Sequence, residues 1–144
     1  MIDATITRLA QECPALKSVA GAVDLADIME QQFAVPPAKR PAAFVMLAGE
    51  QAGANQAASG HTAQIVTESI AIAIAVGSGE QVGKAVARDA VKGTRDAVMD
   101  CLLGWAPEDG LGVLTYGGLA MLALRPRVVW FQMLFSRQLG LSSS

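Results

Sequence analysis

The sequence predicts an α+β fold on three observations. Apolar residues recur at helical spacing in a short N-terminal segment and in a longer one after Glu80; residues 62–76 alternate with a period of two; two apolar runs near the C-terminus flank Arg125-Pro126-Arg127. With 144 residues, 52% of them hydrophobic, the chain reads as one domain, 1–144, able to bury a substantial core.

Ile2, Ile6, Leu9 and Cys13 fall on one side of a helix that Pro14 stops, so residues 3–12 form a short amphipathic helix with Arg8 and Glu12 on its polar side. Residues 16–31 read as a short strand near Val19 followed by a helical turn from Asp24. Prolines stiffen VPPAKRP, and AAFVML at 42–47 is a buried strand. The next stretch, AGEQAGANQAASGH, has almost no large side chain with which to offset the entropy of its own ordering. A mobile loop over about 49–61 is expected.

In the period-two segment, Val66, Ile70, Ile72, Ile74 and Val76 point one way, and Thr67, Ser69, Ala71, Ala73 and Ala75 the other. The small face is expected to lie beneath the long helix, where it permits close approach. At about 100° per residue, that helix places Val86, Ala90, Val91, Ala97, Val98, Cys101 and Trp105 on one side. Lys84, Arg88, Lys92 and Arg95 form a basic stripe beside them, and Asp89, Asp96 and Asp100 an acidic one. Trp105-Ala106-Pro107 ends the helix. GVLTYGGLAMLAL and VVWFQMLF are strands joined by a tight turn with Pro126 at its second position, and Gly117-Gly118 marks a bend or bulge. Both strands are apolar on successive residues, so both faces need covering, and the surplus apolar surface points to subunit contacts.

Little of the sequence points to catalysis. AVGSGEQVGKA approaches two phosphate-binding patterns and fits neither: a Walker loop needs a glycine where Ser78 stands and a hydroxyl where Ala85 stands, and a dinucleotide fingerprint needs a glycine at Val82. The segment reads as a strand-to-helix turn whose glycines supply positive φ. His61 is the single histidine and Cys13 and Cys101 the only cysteines, which leaves too few ligands for a zinc site and no disulfide framework. The two thiols read as buried and reduced. No metal or cofactor is expected. Eleven basic and thirteen acidic residues, net −2, give no excess positive field for nucleic acid. Neither a secretory leader nor a membrane span is expected. The charged stripes read first as a solvated, salt-bridged helix surface and second as an interface; Trp130 and Phe131 read as packing residues.

In order and spacing, MIDATITRL at the start, PAAFV at 41–45, QIVTE at 64–68, LLGWAP at 102–107, LTYGGLAML at 114–122 and VVWFQMLF at 128–135 resemble the tail terminator proteins of long-tailed bacteriophages. The resemblance covers essentially the whole chain. Two places depart from it: Met133 stands where an acidic residue is common, and the connection from Val76 to Gly83 is glycine-rich rather than charged. The resemblance implies a twisted, mostly antiparallel β-sheet with one long and one short helix packed on it. It also implies a homohexameric ring on the end of the tail tube that stops polymerisation and joins the head or neck. Its partners would be other copies of itself, the major tail tube protein and a head-tail connector. Genomic DNA would only pass through the lumen. The location would be the head-proximal end of the tail, after assembly in the host cytoplasm. Candidate contact residues are Glu50, Gln51, Asn55, Gln56 and His61 in the loop, the stripe Lys84, Arg88, Lys92 and Arg95, and the turn arginines Arg125 and Arg127. The alternatives are a tail-tube or neck subunit of related fold, and a small nucleotide-binding enzyme built on Gly79–Lys84.

Overall fold

The computed structural model describes residues 1–58, 60–77, 84–107, 111–125 and 127–143, with the side chains of 84–87 left outside that description. In chain order the elements are α1 (Ile2–Glu12), β1 (Ser18–Gly21), α2 (Ala22–Glu30), a 3-10 turn (Pro37–Lys39), β2 (Ala42–Ala52), β3 (Thr62–Gly77), α3 (Lys84–Leu102), β4 (Thr115–Arg125) and β5 (Val128–Ser143). The expected α+β class is present, with α2 as a second short helix. The strands form one sheet in the order β1-β2-β3-β5-β4. Among the described strands only β1 and β2 run parallel, and the connection between them carries α2, as a parallel crossover requires. The other neighbours are antiparallel.

β3 pairs with β5 without interruption from Thr62↔Ser143 to Gly77↔Val128, which makes this pair the spine of the sheet. β5 therefore continues well past Phe135, where the sequence reading ended it. β2 pairs with β3 as far as Ala52↔Val66, so residues 49–52 belong to the strand and the loop proper is 53–61.

The expected burial of the small face of β3 beneath the long helix is incorrect. Ile70, Ile72, Ile74 and Val76 share a core with Leu9 of α1 and with Val98, Cys101 and Leu102 of α3, joined by Phe131, Met133 and Phe135 of β5. Ala73 and Ala75 lie on the opposite face with Phe44, Trp130 and Leu25 of α2. Volume explains the arrangement. The large aromatics on this second face, Phe44 on β2 and Trp130 on β5, flank β3, and small side chains on β3 leave them room.

α3 ends at Leu102, three residues before Trp105, because Gly104 takes the left-handed conformation (φ 77°) that terminates a helix. The last turn of α3 has no basic residue of its own. Arg8 of α1 supplies one instead: its Nε donates to the Cys101 carbonyl at 3.2 Å and its guanidinium sits 5.4 Å from the Trp105 ring centre. A cation is favourable at a helix C-terminus, so this contact ties the two helices on the first face together.

The Gly117-Gly118 irregularity is present as a register shift between Tyr116 and Gly118, and a second shift lies between Met121 and Ala123. The turn proline, Pro126, and the glycine cluster 78–83 lie outside the described residues. The cluster joins the end of β3 to the start of α3.

Candidate assembly surfaces

The residues singled out in the sequence fall into three places. The first is the β2–β3 connection. Glu50 and Gln51 sit on the exposed end of β2, and Asn55, Gln56 and His61 are exposed in the loop. Asn55 organises the loop: its Oδ1 accepts from the Ala57 and Ala63 amides at 3.1 and 2.8 Å, and its Nδ2 donates to the His61 carbonyl at 3.2 Å. The Gln56 amide donates to the Ala63 carbonyl at 2.8 Å.

The second place is α3. Arg88 and Lys92 are exposed, and Arg95 pairs with Asp96 at 2.9 Å and lies over the Tyr116 ring at 5.4 Å. Lys84 opens the helix, and its side chain is outside the described residues. The stripe borders a groove of about 720 Å³ whose other lining is apolar: Val91, Met121, Leu124 and Val129. This groove exists because α3 packs on β3 and β5 and meets the edge strand at Tyr116, beneath Arg95, but leaves the rest of that strand uncovered. β4 consequently exposes Leu119, Met121, Leu122 and Leu124, the last to 73%. The sequence called for cover on both faces of this strand, and this chain does not supply it.

The third place is the β4–β5 turn. Arg127 has φ 68°, and its carbonyl accepts from Arg40 Nη1 at 2.6 Å; Arg125 lies 5.8 Å from the Phe33 ring centre. Arg40, Arg125 and Arg127 line one pocket together with Met29 and Phe33.

A fourth feature was missed in the sequence. Arg137 is buried on the helix-covered face and pairs with Glu68, directly opposite on β3, at 3.0 Å; its Nη1 also donates to the Leu111 carbonyl at 3.3 Å. Gly112 makes that last contact possible, since at φ 72° a Cβ there would stand 2.6 Å from the Gln138 carbonyl oxygen. The available signal was the alternation Phe131, Met133, Phe135, Arg137, which continues the strand beyond its apolar part.

Among the described residues, no three His, Cys, Asp or Glu side chains gather as a metal site. Among the described residues, no helix is long and apolar enough to cross a membrane.

The family model described as "Phage tail terminator protein" matches residues 2–142. The chain belongs to that family. As a tail terminator family protein it is a structural component of a phage-type virion tail. Among solved structures it is similar to a chain of the "Virion of native gene transfer agent (GTA) particle", with a TM-score of 0.54 at 16% identity, covering 97% of this chain and 94% of that one. At this identity the likeness bears on the fold. No curated protein matches the sequence.

Proposed function

We propose that this terminator-family chain caps the finished tail tube as a ring, of six copies, and forms the joint to the head or neck. Family membership over residues 2–142 carries the reading. The exposed apolar edge of β4 beside the cations of α3 supports it, because a subunit with one unfinished sheet edge needs neighbours. A head-to-tail contact closes into a ring when its rotation divides the circle. Termination then needs no covalent step: a ring seated on the growing face of the tube removes the docking surface for the next ring of tube subunits. The tube protein and a connector are the partners, DNA passes through the lumen, and the protein assembles in the host cytoplasm before joining the virion.

Polymerising purified tube protein with increasing amounts of the chain tests this. Tubes should shorten as the chain is added, with the chain at one end. Tubes of unchanged length would overturn the reading, and incorporation along their length would assign a tube subunit instead. Calorimetry with ATP on the same preparation should show no saturable binding; micromolar binding lost in Lys84→Ala would favour a nucleotide enzyme.

A further inference from the structure

We infer that the groove between α3 and β4 receives helix α2 of the next copy in the ring, an assignment that rests on the ring reading above. The groove pairs exposed cations, Arg88 and Lys92, with an apolar floor at Met121 and Leu124. Its occupant must therefore present acidic and apolar side chains together.

The chain carries such a surface. α2 has three acidic residues, Asp24, Asp27 and Glu30, and no basic one; all three are exposed. Beside Asp27 and Glu30 at helical spacing, Val23 is 77% exposed, although Leu25 on the inner side of the same helix is buried; Met29 lines the pocket with Arg125 and Arg127 instead. The two surfaces cannot meet within one subunit. α2 packs on β1 and β2 and lies on the Trp130 face of the sheet, whereas the groove lies at the far edge of the sheet on the opposite, α3 face. A contact between unlike patches at opposite edges is heterologous, and repetition of it runs head to tail around a ring. Opposite charges at the rim fix register and disfavour groove-to-groove pairing.

Two variants and their combination test the assignment in the full-length chain. Arg88→Glu with Lys92→Glu, and separately Asp24→Lys with Asp27→Lys, should each raise the concentration for half-assembly by about tenfold or more, as like charges oppose one another. Placing all four changes in one chain should restore assembly. Sizes are read by light scattering on the free protein and on protein bound to tubes, with circular dichroism melts confirming that each variant folds. A second arm uses Val23→Cys with Leu124→Cys, which should give an oxidised ladder of linked subunits. Wild-type rings with no ladder, or groove variants that assemble normally, would overturn the groove assignment and leave the ring intact. Groove variants that form rings but no longer bind tubes would also overturn it, assigning the groove to the tube. Absence of wild-type rings both free and on tubes would overturn the ring reading itself.

Discussion

The rings of Phe44 on β2 and Trp130 on β5 stack 5.8 Å apart at an interplanar angle of 28°, across the intervening strand β3. Strands two places apart in a sheet are separated by about 9.5 Å, so the rings lean toward one another above the central strand. They do so because the β3 residues registered with them are Ala73, opposite Phe44, and Ala75, opposite Trp130. Phe33 adds an edge contact at 5.5 Å, and its carbonyl accepts from Trp130 Nε1 at 3.3 Å.

Ala73→Leu should therefore overpack this aromatic bridge, costing about 1–3 kcal/mol and shifting the emission of Trp130. Ile72→Ala, on the helix side of the same strand, should instead open a cavity and cost about 2–5 kcal/mol. Denaturant unfolding followed by tryptophan fluorescence measures both. Unchanged stability in Ala73→Leu would mean that the rings do not meet over β3.

The Glu68–Arg137 pair predicts a different pattern. Glu68→Ala removes the carboxylate from a buried guanidinium and should cost about 1–3 kcal/mol. Replacing the whole pair, Arg137→Met together with Glu68→Leu, removes both charges and keeps most of the volume and should cost less, since an apolar replacement of a buried ion pair is often neutral. Chemical denaturation would contradict this if the double variant proved more damaging than Glu68→Ala.

Burial pushes the thiols of both Cys13 and Cys101 up from their ordinary value, and for Cys101 the nearby Cys13 adds to the effect. A raised folded-state value favours the neutral thiol, so this contribution to stability is complete below about pH 8.5. It is lost as the pH rises through the raised folded-state values. Melting temperature should fall above that pH, and both thiols should resist alkylation until the protein unfolds. Rapid alkylation of either native thiol at neutral pH would contradict their burial.

Hydrogen bonding to β3 reaches into the β2–β3 connection. Amides of 49–52 paired with β3, and those of Gly53 and Gln56, which donate to the Ile65 and Ala63 carbonyls at 2.7 and 2.8 Å, should exchange slowly with deuterium in the free protein, whereas those of Ala54, Asn55, Ala58 and Gly60 should exchange fast when free and slow once assembled on a tail. Equal protection of these four amides in both states would remove this loop from the candidate contacts.

Much of this architecture was legible in the sequence where a single period dominates. The spacing of Ile2, Ile6, Leu9 and Cys13 marked α1, and the alternation through Ile70–Val76 marked β3 and its two faces. Which face meets the helices was not legible, because that depends on Phe44 and Trp130 from strands distant in sequence. The extension of β5 escaped notice because Arg137 interrupts the apolar run, and only the opposing Glu68 shows that it belongs to the buried face. For the candidate surfaces, the basic stripe of α3 could be read from helical spacing. Its apolar counterpart on β4 could not, since an exposed edge strand and a covered one share the same composition.

The position of the chain in the particle tests the central claim most directly. Cryo-electron microscopy of intact virions, with the chain located by fitted density or a specific label, should show one ring at the head-proximal end of the tail tube and none elsewhere. Density repeated along the tube, or confined to the neck without touching the tube, would contradict it.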